Sequence, residues 1–204
     1  GTTDVVVFPS GKPAATWDAS APATIIAVTI NSGYVNNVTL ARTLTITNTL
    51  TVNDGSFSLN GQTLTVQGGS ITGAGKIYCG NGNDTCVAGT ATITGTGSLG
   101  GGAHTFYNLD IGAASGSSTI TATGDLAAKG VVTAVSSSGT NTLDLSTYTL
   151  TLSGNNTPLV VNSSEVLSSS NDGATISYTS ATGATIATSN VNYSKLTINA
   201  SGQT

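Results

Sequence analysis

Residues 38–77, VTLARTLTITNTLTVNDGSFSLNGQTLTVQGGSITGAGKI, decide the fold class. In Thr43-Leu44-Thr45-Ile46-Thr47, Thr49-Leu50-Thr51-Val52 and Thr63-Leu64-Thr65-Val66, threonines alternate with aliphatic residues. A period of two puts Thr on one side of a strand and Leu, Ile or Val on the other. Thr is β-branched and suits a pleated surface. Asn53-Asp54-Gly55, Asn60-Gly61 and Gly68-Gly69 punctuate the run, because Gly and Asn tolerate positive φ. The chain is therefore all-β, and two architectures fit. A parallel β-solenoid adds short strands in coils of about 20 residues, with Thr, Ser and Asn forming ladders along its faces. Tandem β-sandwiches need units with about seven longer strands each. The crowding of very short strands favours the solenoid.

The pattern continues outward from this stretch. Strands are expected at 5–8, 24–30, 90–93, 106–111, 119–123, 131–135, 142–145, 149–152, 159–161, 175–178, 185–188 and 195–198. The turns Asn31-Ser32-Gly33, Gly100-Gly101-Gly102, Ser153-Gly154-Asn155 and Asn171-Asp172-Gly173 fall between them. The best helix candidate, Asp125-Leu126-Ala127-Ala128-Lys129, is bracketed by Gly124 and Gly130 too closely to be stable. Ala27-Val28-Thr29-Ile30, Tyr107-Asn108-Leu109-Asp110-Ile111 and Tyr193-Ser194-Lys195-Leu196-Thr197-Ile198 are alike. So are the stretches from Asn60 to Gly69 and from Leu145 to Gly154. These spacings suggest repeat units of roughly 85 residues. The expected division is an N-terminal strand or cap segment at 1–22, units at 23–105 and 106–191, and a third unit or joining strand at 192–204.

Composition narrows the function classes. Charged residues are 7% of the chain, aromatic residues 5%, and Met is absent. The core must be built from thin layers of Val, Ile, Leu and Ala. Five basic residues against nine acidic ones give no footprint for nucleic acid. No run of 18 apolar residues occurs, so no membrane insertion is expected. A secreted chain would have lost its leader before Gly1. Cys79 and Cys86 flank a polar loop rich in Gly and Asn, the pattern of a disulfide across a turn; the alternative is a pair of free thiols. One His, His104, and two Cys cannot complete a zinc site.

Other motifs carry weaker signals. Asn37, Asn83, Asn155, Asn162, Asn192 and Asn199 each open an Asn-x-Ser/Thr sequon and are candidate N-glycosylation sites. Ser168-Ser169-Ser170 is a candidate for O-glycans. Polysaccharide cleavage on such a scaffold would need clustered carboxylates. The chain offers an isolated Glu165, and Asp110 with Asp125 or Asp144 as the only pairings worth considering. No enzymatic activity and no cofactor are expected. The Asn53, Asn81 and Asn171 turns carry too few carboxylates for calcium. Ordered Thr arrays can bind ice, and Thr43/Thr45/Thr47, Thr63/Thr65 and Thr149/Thr151 fit locally, at irregular intervals. Val5-Val6-Val7-Phe8 reads either as an internal strand or as a strand donated to a neighbouring subunit. With Tyr193, Leu196 and Ile198 near the other end, it forms the candidate set of subunit-joining residues.

The texture of residues 23–75, and of Thr105-Phe106-Tyr107-Asn108-Leu109, resembles the β-strand repeat regions of large secreted bacterial and archaeal surface proteins. That resemblance covers nearly the whole chain and implies a stalk, adhesin, sheath or filament component. The expected function is a secreted structural subunit of an extracellular filament or surface appendage. Its partners would be copies of itself, cell-surface components or glycans. An adhesin stalk or carbohydrate-binding module is the alternative, with an ice-binding protein or polysaccharide-active enzyme behind it.

Overall fold

The computed structural model describes residues 4–112, 116–134, 139–162, 166–168 and 173–199. Among them every regular element is a strand, and the strands stack in parallel as a β-solenoid of about eight coils. Three strands make a coil, so the rod has three faces. The first face stacks Val5–Phe8, Ala27–Ile30, Thr49–Val52, Ser70–Thr72, Gly97–Leu99, Ser118–Ala122, Asn141–Asp144, Val166–Ser168 and Val191–Asn192. The second carries Ala15–Trp17, Asn37–Leu40, Ser56–Ser58 and Lys76–Tyr78, then His104–Phe106, Leu126–Ala128, Thr149–Leu152, Thr175–Tyr178 and Lys195–Ile198. The third runs Thr24–Ile25, Leu44–Ile46, Leu64–Val66, Thr90–Ile93, Asn108–Ile111, Val132–Ala134 and Leu159–Val161. Sandwich strands pair antiparallel, so parallel pairing throughout removes the tandem-sandwich alternative.

Alternation sets which side is core. In Thr49–Val52 and Thr149–Leu152 the aliphatic positions are buried and the threonines are not. Register then turns alternation into columns. On the third face Ile25, Ile46, Val66, Ile93, Ile111 and Ala134 stack inward, one per coil. Columns from all three faces merge into one cluster, widened by Trp17, Tyr34, Phe57, Phe106 and Tyr178. Burying such side chains contributes about 1.5–3 kcal/mol each. Their polar atoms find partners: Trp17 Nε1 donates to the Pro22 carbonyl at 2.9 Å, and the Tyr34 hydroxyl to Pro13 at 2.9 Å.

Corners absorb differences in coil length. Thr45 pairs with Thr65, 20 positions on, while Thr65 pairs with Thr92, 27 on. The longer coil carries the Cys79–Cys86 loop between Lys76–Tyr78 and Thr90–Ile93. At the corner leaving the first face, successive coils touch backbone to backbone. Gly101 has φ +102°, and a Cβ there would overlap the Gly73 carbonyl oxygen of the coil below.

The second face contains a discontinuity. Lys76–Tyr78 ends one sheet and His104–Phe106 begins another directly above it. Between them the Ile77 N–H donates to Nδ1 of His104 at 3.1 Å, instead of to a strand carbonyl. A side chain thus bridges one rung of the ladder.

Some expectations are corrected. Residues 126–128 form a strand, because Leu126 and Ala128 point inward on the second face between neighbours on both sides. The short strands Ala15–Trp17, Ser70–Thr72, Lys76–Tyr78, Gly97–Leu99, Val166–Ser168 and Val191–Asn192 were not expected, and the strand expected at 185–188 does not form, Ala184 making only a single bridge to Asn156. The three stretches aligned as repeats fall on three different faces: Ala27–Ile30 on the first, Asn108–Ile111 on the third and Lys195–Ile198 on the second. Their likeness is that of any strand with an inward aliphatic side; the first and third faces continue past 105/106 while the second breaks just below His104–Phe106. Glu165, Ser169, Ser170 and Asp172 lie outside the described residues.

Candidate functional site

The Cys79–Cys86 disulfide is formed, with sulfurs 2.01 Å apart. Cys79 follows Lys76–Tyr78 and is fully buried, which anchors one end of the loop. The loop folds back over the outer side of the second face. There the Ser58 hydroxyl donates to the Gly80 carbonyl and accepts the Gly82 N–H. Ser56–Ser58 is buried on both sides as a result, which breaks the inside–outside alternation. A shallow depression beside the loop is lined by Asn60, Gly61, Asn81, Asn83, Thr85 and Val87. It holds no charged side chain and no aromatic platform.

The sequons differ sharply in access. The Asn37 amide donates to Thr39 Oγ1 at 2.8 Å, its oxygen accepts from Ser56 at 2.9 Å, and Gly82 lies over it. Asn83, Asn155, Asn162, Asn192 and Asn199 are exposed. The Asn83 and Asn155 side-chain oxygens accept from the Thr85 N–H and the Ser180 hydroxyl. Glycan transfer needs room around the side-chain amide. Peptide mass spectrometry of material from a glycosylating host should therefore find Asn37 unmodified, and any occupancy at the exposed set. An occupied Asn37 would mean the loop is open in the folded chain.

The candidate joining residues sit at both ends of the described rod. Val6 and Phe8 continue the inward columns of Val28 and Ile30, while Val5 and Val7 face outward and are 56% and 50% exposed. At the other end Leu196 and Ile198 continue the columns of Ile176 and Tyr178, yet are 39% and 52% exposed. Tyr193 is a corner residue rather than a strand residue. Its hydroxyl donates to the Ala187 carbonyl at 2.8 Å and lies 2.8 Å from the Tyr178 hydroxyl, which accepts the Ala187 N–H at 3.2 Å. Burial, with Tyr178 as neighbour, pushes the Tyr193 phenol well above its ordinary pKa.

The carboxylates do not converge. Asp110 lies outward on the third face and Asp144 outward on the first, while Asp125 sits at a corner and accepts the Thr149 N–H at 2.9 Å. Burial raises the Asp110 pKa, opposed by a Thr133 hydrogen bond. The turn carboxylates serve the backbone: Asp54 accepts from the Gly33 and Gly55 N–H groups. No cluster of three or more His, Cys, Asp or Glu suited to a metal occurs among the described residues. His104, buried to 1% exposure, meets the edge of Phe106 at 6.3 Å. Its Nε2 has no hydrogen-bond partner among the described residues.

The outer side of the third face carries the most regular array. Thr24, Thr45, Thr65 and Thr92 stack in one column, followed by Asp110 and Thr133. The same registers place Thr43, Thr63 and Thr90 on one flank, and Thr47, Gln67 and Thr94 on the other. Two of the threonine runs visible in the sequence thus come together, joined by Thr90/Thr92/Thr94. Thr149/Thr151 lies on a different face. No helix of the described residues is long and apolar enough to cross a membrane. The chain matches no family profile, no curated protein and no solved structure.

Proposed function

We propose that this chain is a secreted structural rod whose copies join end to end into an extracellular filament, sheath or surface appendage. The observation that carries the reading is the exposure of two residues that continue inward columns: Leu196 and Ile198 align with Ile176 and Tyr178 yet are 39% and 52% exposed, where a further coil would bury them. A second copy would supply that coil. Its Val5–Phe8 strand would meet Val191–Asn192 on the first face, and its Ala15–Trp17 strand would meet Lys195–Ile198 on the second. Exposed parallel edges invite this kind of pairing, and contacts that repeat without closing give a filament. The disulfide suits an oxidising compartment outside the cell. A low-charge, hydroxyl-rich surface suits a stiff structural element better than a reaction centre.

Sedimentation and negative-stain microscopy of the purified chain test this. Filaments are expected, each coil adding about 4.8 Å along the axis. Leu196→Lys and Ile198→Lys should return single rods with unchanged circular dichroism. Single rods of the unaltered chain at every concentration would defeat the proposal. Saturable binding of those rods to a carbohydrate would put the adhesin reading in its place.

A further inference from the structure

The geometry points to the outer side of the third face, over the coils carrying Leu44–Ile46, Leu64–Val66 and Thr90–Ile93, as a surface that binds crystalline ice. The paired Thr45, Thr65 and Thr92 and the residues two positions to either side make a three-by-three grid there, all threonine but Gln67, with Thr43, Thr47, Thr63, Gln67 and Thr94 just beyond the strand ends. Thr24 extends the central column by one coil. In-register parallel strands hold neighbours in a column about 4.8 Å apart, and alternate residues along a strand about 6.6 Å apart. Each threonine of the grid presents one hydroxyl and one methyl, the Thr47 hydroxyl also donating to the Ile25 carbonyl at 3.4 Å.

Three features separate this patch from an ordinary solvated face. It is free of charge: the nearest carboxylate in the central column is Asp110, where the threonine column is interrupted. The corresponding outward positions of the second face hold Lys76 and Tyr78; those of the first are uncharged but mix Thr49 and Thr51 with Ser70, Thr72 and Ser98, and the Thr51 and Thr72 hydroxyls bond each other at 3.3 Å. The patch is also stiff. Its strands are bonded to neighbours on both sides, and β-branched threonine has few rotamers to lose. Binding to a surface of matching period therefore costs little ordering. Finally, it is a sheet face without a pocket, a charged group or an aromatic platform at any of the nine positions, so it lacks what fixes a soluble ligand. Many weak, equally spaced contacts add up only against a ligand that is itself periodic and supplies hydroxyl partners throughout. Ice meets that description: its oxygens repeat, and the methyl groups favour ordered water between the anchoring hydroxyls.

The test is partition of the whole chain into a slowly growing ice front, alongside a bystander protein, with ice-recrystallisation inhibition as a second readout. The unaltered chain should be enriched in the ice fraction. Thr65→Lys, at the grid centre, should fall to bystander level, while Thr151→Lys, outward on the second face, should keep the enrichment. Circular dichroism checks that each variant is folded. If Thr65→Lys does not fold, Thr45→Lys on the adjacent coil makes the same test. The inference is overturned if the unaltered chain is excluded from ice like the bystander, or if the two faces' variants behave alike. It is equally overturned if the chain sediments with microcrystalline cellulose through Thr65 but shows no enrichment in ice. Filament assembly is read separately, so failure of either proposal leaves the other standing.

Discussion

Gly101→Ala is expected to destabilise the solenoid by about 3 kcal/mol or more. Two costs coincide at this corner. The backbone sits at φ +102°, outside the range that a side-chain-bearing residue adopts without strain. The new Cβ would also overlap the Gly73 carbonyl oxygen of the coil below, which is backbone and cannot swing away. Gly102 sits equally close to Gly75, so the corner packs backbone on backbone at two successive positions. Gly11→Ala is the control. It has φ +69° with nothing within 4 Å of the added carbon, and should cost only about 1 kcal/mol. Stacked coils can open locally, so hydrogen exchange is the better measurement. Gly101→Ala should lose protection at residues 73–75 and 100–102 first. Equal effects of the two substitutions would show that corner stacking contributes nothing.

Acidification is expected to produce the second large effect, through His104. Burial holds this imidazole neutral and lowers its pKa from 6.5 to about 4. Above pH 6.5 the ring is neutral in both folded and unfolded chains, and its contribution is fully present. As pH falls toward 4, the unfolded chain takes up a proton that the folded chain refuses, so stability declines. At about 1.4 kcal/mol per pH unit, the loss approaches about 3 kcal/mol. Asp110 acts in the opposite sense. Its raised pKa favours the protonated folded form, so it adds stability as pH falls through the carboxyl range. Denaturant unfolding between pH 7.5 and 4 reads the difference. His104→Leu should flatten the slope while lowering stability at pH 7, because the Ile77 N–H loses its acceptor. A slope that survives the substitution would place the titration elsewhere.

How much of this was legible can be judged residue by residue. Alternation in residues 43–52 and 63–66 fixed strands and their inner sides, because a strand with one wet side has no other way to bury Leu and Ile. The cysteines were legible for a similar reason: a short polar loop between them leaves little choice of partner. Stacking was not legible. Thr45 and Thr65 are 20 apart, and Thr65 and Thr92 are 27 apart, yet all three stand in one column. The ladder chooses neighbours by hydrogen bonding and lets corners take up the surplus, so equal spacing is a poor guide to which residues meet. For the same reason the likeness of residues 27–30, 108–111 and 195–198 reflected a shared environment rather than a shared position. His104 gave no hint of its place. A lone histidine in a glycine-rich turn reads as surface, and only the long coil below it puts the ring under Leu126 and against Ile77.

That ring has a mechanical consequence. A solenoid pulled along its axis loads its three ladders like the strands of a cable. At the level of Ile77 and His104 one strand is spliced through a side chain instead of running continuously. A proton on Nδ1 undoes the splice, because the nitrogen can no longer accept the Ile77 N–H. The rod therefore carries, about midway along its length, a rung whose share of an axial load depends on acidity.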